Sequence, residues 1–482
     1  MRVVYISLFE EESYGGGEGR VAHELAQHFA ARQEAVLICP GDETGLQEVE
    51  GDLDLFTVRS AGEGHVKVAA LTARDVNRMF NFLERFDPDV VHAHEPASIC
   101  LIGQIWAKMH NVPFVYTAHV LPSKALEFGA LDQIKWLQSS LSESVAKQSF
   151  RDFYDNCDAI VALNRFAAAD IRGFGYEGRL LIIPNGRDLG RFQACQCADI
   201  GSTQKTLTFT GTMTERKNQL YLLKALQHLS SSYQLQIIGE PLNPEYAQRL
   251  RTFADQQNLS NARFVGKVAF DEIPTYLEQT HVFVSASKAE VQSLVVIEAL
   301  ASGTPVVGLS NETIDELVTD EVGAALPKQT DPQTFARAVE RVCTQSEGDY
   351  AAMCQKAREC VQRHSWENVI DLTVEGYRSL LDKYEKADVT VNSLSWEELL
   401  DLLPPGEVKD LLRERVSALE ERIRANRRQE GFFANLRKLR RVPQSTWFYA
   451  ATTIVLSGIL YWVLRHFTAG ADPDVDGEGI DL

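Results

Sequence analysis

The chain has 482 residues, 45% of them hydrophobic, so it is long enough for two or three domains with sizeable cores. Its formal net charge of −19 argues against a general nucleic-acid-binding protein, because such proteins need an excess of Lys and Arg to neutralise phosphates. Among its 8 cysteines, the one close pair, Cys195 and Cys197, has no second Cys/His pair at zinc spacing, which indicates free thiols in a reducing compartment.

The first half of the chain alternates buried strands with helices, which predicts a parallel α/β sheet. The first strand is predicted over 2–9, and acidic residues end it too early for a signal peptide. A helix starts at Arg20, so Gly15, Gly16 and Gly17 lie at a strand-to-helix turn. Glycine lets the backbone approach a ligand closely there. The spacing is not the G-x-G-x-x-G fingerprint of dinucleotide-binding proteins, and a purely structural turn is the alternative.

Histidines stand at the ends of two predicted strands in this half. Further strands are predicted over 52–60, 90–94, 114–119, 159–163 and 180–183, and an amphipathic helix is predicted over 67–86. His92 and His94 end one of them, and His119 ends another. In an open α/β sheet these positions lie on the edge that binds ligands. A histidine there is more often a local hydrogen-bonding residue than a catalyst. A hinge is predicted over 187–204.

The second half restarts the same alternation. Strands are predicted over 206–210, 235–238, 263–265, 282–284 and 306–307, and helices over 219–229, 244–257, 271–279, 332–346 and 348–362. The loop 211–218 opens with Gly211 and carries Arg216 and Lys217. A forked guanidinium beside a compact ammonium charge suits a diphosphate. The alternative is a pair of solubilising surface charges.

A strand, a loop, a helix and a second strand follow one another over 282–309. Glu290 stands eight positions before Glu298, and Gly303 ends the predicted helix. The first turn of that helix would offer free N–H groups to an anion; it contains Gln292, Ser293 and Leu294. Glu298 sits inside an apolar run, and a buried carboxylate needs partners. A lone glutamate on a helix is otherwise usually a solvated charge.

This pattern resembles the E-x7-E signature of retaining GT-B glycosyltransferases of the family 4-like type, also called glycosyl transferases group 1. The glycine loop after the first strand, the Pro184-Asn185-Gly186-Arg187-Asp188 turn and the Glu316-Leu317-Val318 triplet are similar to the family as well. The resemblance covers roughly 1–385. The chain departs from the family at Thr212, where many members have Arg, and in the stretch 310–313, which replaces a glycine-rich turn.

The resemblance implies a GT-B fold, in which two Rossmann-like domains face a cleft. The expected segments are an N-terminal acceptor domain over 1–190, a nucleotide-sugar domain over 200–365, a helix crossing back to the first domain over 366–386, a charged helical linker over 387–445, a transmembrane helix over 446–464 and an acidic tail over 465–482.

The resemblance also implies a role for each candidate residue. Glu298 would hold the ribose, and Glu290 would contact the hydroxyls of the sugar. Arg216, in place of the usual Arg, would join Lys217 and the helix start in stabilising the leaving diphosphate. The glycines Gly15, Gly16 and Gly17 would close over the phosphates with Gly211 opposite, and His119 would meet the acceptor.

The stretch 446–464 carries no charge and is long enough to span a bilayer core of about 30 Å. A basic segment over 413–441, which is rich in Arg, precedes it and an acidic tail follows, so the positive-inside rule places the two domains in the cytoplasm. The protein is therefore expected at the cytoplasmic face of the cell membrane, held by a single span and by contacts of the basic segment with anionic lipid. A buried core helix is the alternative.

The resemblance thus implies a hexosyltransferase that retains anomeric configuration and uses neither a metal ion nor a cofactor. Its partners would be a nucleotide-diphospho-sugar donor, a lipid or lipid-linked glycan acceptor and the membrane, without nucleic acid. Four alternatives stay open: a soluble acceptor, a catalytically inactive membrane scaffold, a GT-B sugar-nucleotide epimerase and a dinucleotide oxidoreductase. The sequence does not specify the nucleobase or the sugar.

Overall fold

The computed structural model describes residues 1–8, 17–47, 51–61, 68–69, 71–96, 99–119, 121, 123, 151–386, 400, 403 and 406–429. These residues divide into two compact units. The N-terminal unit contains the described residues up to Arg187 and those from Arg363 onward, and the C-terminal unit runs from Asp188 to Gln362. The labels below count the described helices and strands.

The N-terminal unit contains nine described strands around which its helices pack. The strands are β1 (Arg2–Ile6), β2 (Glu34–Gly41), β3 (Gly45–Gln47), β4 (Asp54–Ala61), β5 (Val68–Ala69), β6 (Val90–Ala93), β7 (Phe114–Thr117), β8 (Ala159–Ala162) and β9 (Arg179–Ile182). The first helices are α1 (Gly17–Ala30), α2 (Ala73–Phe86), α3 (Ile99–His110) and α4 (Arg165–Gly173).

The strands of this sheet lie in the order β3-β4-β2-β1-β6-β7-β8-β9, with β5 beside β4. Strands β2, β4 and β6–β9 run parallel to β1, because each is linked to the next through a helix or a long connection. Alternate residues of β1 are buried on opposite faces: Val3 and Tyr5 pack with α1, and Ile6 packs against α3. Burial on both faces explains why β1 is a continuous apolar run.

The C-terminal unit follows the same strand–helix alternation. Its strands are β10 (Lys205–Thr210), β11 (Tyr233–Ile238), β12 (Ala262–Gly266), β13 (Val282–Ser285), β14 (Val306–Leu309) and β15 (Gly323–Leu326). Its helices are α5 (Leu189–Gln193), α6 (Gln219–Leu226), α7 (Pro244–Gln256), α8 (Ile273–Glu278), α9 (Leu294–Ala301), α10 (Glu312–Leu317), α11 (Pro332–Cys343) and α12 (Glu347–Cys360).

All six strands of this second sheet are parallel, in the order β12-β11-β10-β13-β14-β15. This is the doubly wound order in which the chain turns back at its first strand, β10. Along β13, Val282 and Val284 enter a core with α6, α7 and α11, whereas Phe283 enters a core with α8, α9 and α10. Because successive side chains of a strand point to opposite faces, β13 contributes to the core on each side of the sheet.

The chain returns to the N-terminal unit after Gln362, through α13 (Trp366–Lys386). The return is fixed at two points, because Arg187 N–H donates to His364 O at 2.7 Å and Gly186 packs directly under the ring of Trp366. Along α13, Val369, Ile370, Tyr377 and Leu380 are buried in the core formed with β1, β2 and α1. This helix therefore completes the core of the N-terminal sheet.

A last described helix, α14 (Glu407–Gln429), lies against α2. Arg415 donates to Asn77 at 2.6 Å and stacks over the ring of Phe80 at 4.9 Å from its centroid. Glu407 accepts from the N–H of Ala73 at 3.2 Å. The apolar side chains of Leu412 and Val416, on the same helix, are buried. Part of the charged segment predicted over 387–445 is thus a helix docked on α2.

Three stretches differ from the sequence predictions. The helix predicted over 67–86 begins at Ala73, because the hydroxyl of Thr72 caps it by accepting from Asp75 N–H at 3.2 Å. The predicted hinge contains α5, whose Phe192 is fully buried against α9. The helix α3, for which no prediction was made, is apolar almost throughout and therefore lacks the period that reveals a half-exposed helix.

Candidate active site

The first candidate site lies in the C-terminal unit, where the order of strands reverses. β10 pairs with both β11 and β13, so the loops that follow β10 and β13 leave the same edge of the sheet side by side. These loops are 211–218 and 286–293. Open α/β sheets bind ligands in the crevice that such a reversal leaves between neighbouring loops.

Glycines fix the direction in which the first loop departs. Gly211 ends β10 with φ +137°, and its N–H donates to Ile238 O at 2.9 Å. A Cβ on Gly239, which has φ +148°, would lie 2.0 Å from Gly211 O. The two strand ends are therefore in backbone contact that a side chain would prevent. Met213 N–H donates to Glu240 O at 2.8 Å and continues this contact.

The two loops are joined by Arg216, Lys217 and Glu290. The ammonium of Lys217 pairs with Glu290 Oε1, and Arg216 Nη1 lies 3.3 Å from the same oxygen. Arg216 also donates to Ala289 O at 2.9 Å and accepts at its carbonyl from Lys288 N–H at 2.9 Å. These contacts hold two cations and one carboxylate together at the edge of the sheet.

Burial and charge oppose each other in this cluster. The side chains of Lys217 and Glu290 are 12% and 9% exposed, whereas that of Arg216 is 44% exposed. Burial lowers the pKa of Lys217, although Glu290 partly offsets it. Burial also opposes ionisation of Glu290, but the two neighbouring cations outweigh it, so the pKa of Glu290 lies below its ordinary value. The cluster carries a net positive charge and is suited to an anion.

The helix α9 begins beside this cluster with Ser293 as its N-cap residue. The N–H of Ser293 donates to Thr313 Oγ1 at 2.7 Å, so this donor is already used within the protein. Val296 and Ile297 N–H both donate to Ser293 O at 3.2 Å. Leu294 and Val295 are the first helical positions, whose N–H groups have no partner inside a helix. They are the backbone donors that this helix start can offer to an anion.

The two glutamates of the E-x7-E spacing occupy different elements. Glu290 lies in the loop before α9, and Glu298 lies within α9, where it is 3% exposed. Gln292, also in the loop, is buried as well. The loop is held from the other side by Asn311, whose amide donates to Ser287 O at 3.2 Å and whose Oδ1 accepts from Thr313 and Ile314 N–H.

The second group of candidate residues lies in the N-terminal unit, at the ends of β6 and β7. The rings of His92 and His94 stack at 4.8 Å between centroids, and those of His94 and His119 stack at 5.2 Å. His94 Nδ1 and His119 Nε2 are hydrogen-bonded at 2.9 Å. His92 bonds to Thr117 Oγ1 at 2.7 Å and, through its other nitrogen, to the hydroxyl of Tyr377 on α13.

Burial keeps these histidines neutral. It lowers the pKa of His92 to about 3 and that of His119 to about 4, and it lowers the pKa of His94 well below the ordinary value. His92 and His94 also line a small cavity of this unit, together with Asn185 and with Trp366 and Thr373 of α13. The end of the sheet thus presents neutral imidazoles as hydrogen-bonding groups.

Glu95 follows the histidines of β6 and was not among the residues predicted from sequence. Its carboxylate accepts from Leu8 N–H at 2.8 Å and from the hydroxyl of Ser7 at 3.4 Å. It therefore holds the end of β1, from which the glycine-rich segment departs. Its place directly after His94 at a strand end was the signal that could have identified it.

Two family models match the chain, and together they take in most of both units. A model described as Glycosyltransferase Family 4 matches residues 15–191, and one described as Glycosyl transferases group 1 matches residues 204–345.

The chain belongs to these glycosyltransferases.

Curated relatives of this glycosyltransferase include enzymes with different acceptors in their names. It is 23% identical to the alpha-monoglucosyldiacylglycerol synthase of Streptococcus pneumoniae. The match covers 52% of this chain and 59% of that enzyme, less than two thirds of its length. It is 26% identical to the D-inositol 3-phosphate glycosyltransferase of Corynebacterium urealyticum, over 61% of this chain and 72% of that enzyme.

Solved structures share the fold of this glycosyltransferase. The sucrose-phosphate synthase of Thermosynechococcus elongatus matches with a TM-score of 0.63 at 17% identity, covering 79% of this chain and 99% of that one. The HepE protein of Anabaena, solved in complex with UDP, matches with a TM-score of 0.60 at 17% identity, covering 79% of this chain and 100% of that one. The prediction of a two-domain α/β GT-B fold is confirmed.

In the structure, some of the candidate residues of this glycosyltransferase lie close together, and two others are not among the described residues. Gly211, Arg216, Lys217 and Glu290 lie at one sheet edge, beside the start of α9. Gly15 and Gly16 lie outside the described residues, and Gly17 is the first residue of α1. Of the residues predicted for the helix start, Gln292, Ser293 and Leu294, the N–H of Ser293 is already bonded to Thr313 and Leu294 is the first helical residue. Val295, the second helical residue, was not predicted. The roles of all these residues stay predictions.

Two further findings concern the predicted metal independence and the predicted membrane span. Within the described ranges, no group of three or more His, Cys, Asp and Glu residues is arranged to hold a metal ion. Of the helices in the described part of the chain, none has both the length and the apolar character needed to cross a membrane. The predicted transmembrane helix over 446–464 lies outside the described residues.

Proposed function

We propose that this protein transfers a hexosyl group from a nucleotide-diphospho-sugar to a lipid or lipid-linked glycan, with retention of anomeric configuration. The observation that carries the proposal is the cluster of Arg216, Lys217 and Glu290 at the reversal point of a doubly wound sheet, beside a helix N-terminus. Such a cluster matches the demand of the reaction, because negative charge builds up on a diphosphate as the sugar leaves.

The two cations divide the work in this proposal. Lys217 is held in place by Glu290, so its charge is oriented before the donor arrives and needs little reorganisation. Arg216 has the more exposed side chain and can form two parallel hydrogen bonds to phosphate oxygens. The N–H groups of Leu294 and Val295 add the positive end of α9. In this scheme, the leaving group is stabilised without a metal ion or other cofactor.

The carboxylates then orient the remaining parts of the donor. Glu290 accepts hydrogen bonds from sugar hydroxyls while it keeps Lys217 beside the phosphates. Glu298, buried on α9, binds the hydroxyls of the ribose. In the N-terminal unit, His119 contacts the acceptor, and the glycine-rich segment with Gly15, Gly16 and Gly17 covers the phosphates. These assignments come from the resemblance to the family and are consistent with the burial of both glutamates.

A lipid acceptor is supported by one relative and by the C-terminal sequence. The streptococcal relative is a synthase of a glucosylated diacylglycerol by its name. In this chain, the uncharged stretch 446–464 follows a basic segment, which is the order expected of a single span with the catalytic units in the cytoplasm. We therefore place the protein at the cytoplasmic face of the cell membrane, where lipid acceptors are accessible. Transfer to a soluble acceptor is the alternative.

The test is incubation of membranes containing the full chain with UDP-, GDP- and ADP-sugars, followed by mass analysis of the extracted lipids. UDP-sugars come first, because HepE of Anabaena was solved with UDP and with UDP-glucose. A glycosylated lipid whose anomeric configuration matches that of the donor is expected. If no donor is consumed with any lipid or soluble acceptor, the proposal is wrong and a catalytically inactive scaffold is favoured.

The substitution Lys217→Ala tests whether sugar transfer takes place at this site. Loss of a preorganised cation at the leaving group is expected to lower kcat by about 10²–10³-fold. Lys224→Ala is the matched control, because Lys224 is exposed on α6, close by in the sequence. Equal activity of both variants would mean that the diphosphate is bound elsewhere.

A further inference from the structure

The three stacked histidines of the N-terminal unit differ in what their ring nitrogens contact. Both nitrogens of His92 are used, one by Thr117 and the other by Tyr377. His94 uses Nδ1 for His119, whereas its Nε2 is buried and has no hydrogen-bond partner among the described residues. His92 thus links β6 to β7 and to α13. Among the described residues, the side chain of His94 is hydrogen-bonded only to His119, the residue proposed to contact the acceptor substrate.

A hydrogen bond between two neutral imidazoles couples their tautomers. Burial lowers the pKa of His94 and of His119 far enough that both rings are neutral near pH 7. One of the two bonded nitrogens must then carry a proton, and the other must present its lone pair. If His94 Nδ1 is the donor, His119 carries its proton on Nδ1. If His119 Nε2 is the donor, the Nδ1 of His119 is a lone pair.

The unpartnered nitrogen of His94 decides between these arrangements. In the first, His94 Nε2 is an unused lone pair, and in the second it is a buried N–H without an acceptor. Unpaired buried donors are rarer in proteins than unpaired acceptors. The first arrangement is therefore favoured, with His94 Nδ1–H donating to His119 Nε2. It leaves Nδ1–H of His119 as the group that can donate to a substrate.

We propose that His94 is a positioning residue, which fixes both the ring orientation and the tautomer of His119 so that His119 meets the acceptor as a hydrogen-bond donor. The inference rests on the proposed function, because it takes His119 as the acceptor-side group. Two features make the ring position rigid. The rings of His94 and His119 are stacked with an interplanar angle of 18°. The backbone N–H of His94 donates to the carbonyl of Ile6 at 3.0 Å. His94 is 1% exposed, so it acts on the substrate through His119.

The kinetic test compares two substitutions of His94. His94→Phe keeps an aromatic ring for stacking but removes the hydrogen bond to His119. His94→Asn places an amide N–H near the position of Nδ1 and so can restore that bond. For His94→Phe, we expect kcat to fall about 10- to 100-fold, the range that misplacement of a reacting group produces, with little change in donor KM. His94→Asn is expected to recover most of this loss.

Tyr377→Phe is the matched control at the other end of the stack. It removes the hydrogen bond to His92 but leaves the pair His94–His119 intact, so kcat should stay within about twofold of the wild type. Equal kcat for His94→Phe and Tyr377→Phe would overturn the inference. If the wild type transfers sugar and His94→Phe is fully active, the positioning role fails while the proposed function stands.

A second measurement does not depend on activity. Long-range ¹H–¹⁵N spectra of the detergent-solubilised full chain, labelled at histidine, report which nitrogen of each ring carries the proton. The His119 signals are assigned by their loss in His119→Gln. We expect His119 to carry its proton on Nδ1 in the wild type and to revert in His94→Phe to the Nε2–H form that a solvated histidine side chain favours. An Nε2–H form in the wild type would overturn the inference, whether or not the chain transfers sugar.

Discussion

Glu290 is a carboxylate whose charge depends on two neighbouring cations. It is 9% exposed, and burial alone would favour its neutral form. The ammonium of Lys217 and the guanidinium of Arg216 reverse that preference and keep it ionised. The dependence is mutual, since Lys217 is itself poorly solvated and owes part of its charge to Glu290. A change at either residue therefore acts on the charge of both.

Glu290→Gln is expected to lower the free energy of unfolding by about 1–3 kcal/mol at neutral pH, because Lys217 loses its buried counter-charge. The pKa of Glu290 is lower in the folded protein than its ordinary value of 4.5. Its contribution to stability is thus present above that pH and is lost as the pH falls through the folded value. The difference between wild type and variant should narrow below about pH 4.5, as measured by urea unfolding over a pH series.

The control is Glu321→Gln, which removes the charge of an exposed glutamate in the same unit. Its free energy of unfolding should stay within about 0.5 kcal/mol of the wild type. If Glu290→Gln is as stable as this control at neutral pH, the ion pair with Lys217 contributes nothing to folding. A gap that persists unchanged into acid would show that packing, and not charge, causes the loss.

At the scale of elements, the turn between β14 and α10 supports the start of α9. Asn311 caps α10 and also donates to Ser287 O, and Thr313 accepts from Ser293 N–H at 2.7 Å. Asn311, the N-cap of α10, and Thr313, in its first turn, thus hold both ends of the loop that carries Glu290. The stretch 310–313 replaces the glycine-rich turn common in the family, and its side chains take over a structural task that glycine cannot perform.

Thr313→Val tests this support, because it keeps the shape of the side chain and removes the hydroxyl. The buried N–H of Ser293 would lose its acceptor, so the free energy of unfolding should fall by about 1–3 kcal/mol. The start of α9 should also become less well fixed, which raises the KM for the nucleotide-sugar. Thermal unfolding and donor-dependent initial rates measure the two effects.

Thr319→Val is the matched control for this substitution. Thr319 is exposed, and its hydroxyl accepts from Glu321 N–H at a long 3.4 Å, so its loss should change stability by less than about 0.5 kcal/mol. Should Thr313→Val equal Thr319→Val in both measurements, the hydrogen bond to Ser293 is not what holds the helix start.

The sequence predicted elements well where a local pattern specifies them. Val282, Phe283 and Val284 form an apolar run that a buried strand requires, and Gly303 ends α9 with φ +84°. Contacts between segments distant in the sequence were not predictable in the same way. Ser293 and Thr313 are 20 residues apart and His92 and Tyr377 are 285 apart, and their hydrogen bonds follow from packing. The sequence thus predicted candidate residues, whose roles stay predictions, but not the groups that contact them.

At the scale of the whole molecule, the chain leaves the N-terminal unit once and returns to it. The turn at Asn185–Arg187 and the segment that starts α13 lie side by side, since Arg187 bridges to Ser365 and His364 bonds to Asn185 O at 3.2 Å. The outgoing and returning segments thus run parallel to each other at this point. Beyond this point, α13 contacts the end of β6 through the hydrogen bond between Tyr377 and His92.

The chain beyond α14 is expected to attach the protein to the membrane and to take no part in catalysis. The described helix α14 is fixed to α2 through Arg415 and Glu407, so a chain that ends at Gln429 keeps every contact named here. Deleting 430–482 removes the uncharged stretch 446–464 and the C-terminal part of the basic segment, which contains Arg437, Lys438, Arg440 and Arg441. We expect this shortened enzyme to be recovered without membranes and to keep the wild-type kcat with a lipid acceptor supplied in detergent.

Two further truncations separate anchoring from electrostatic attraction. Deleting 465–482 removes only the acidic tail and should leave the protein membrane-bound after a salt wash, since burial of an apolar span is not screened. Deleting 446–482 keeps the basic segment, whose attraction to anionic lipid falls off within a Debye length of about 3 Å at 1 M salt, so this form should be eluted. Retention of the chain ending at Gln429 on salt-washed membranes would instead locate the membrane contact in the two folded units.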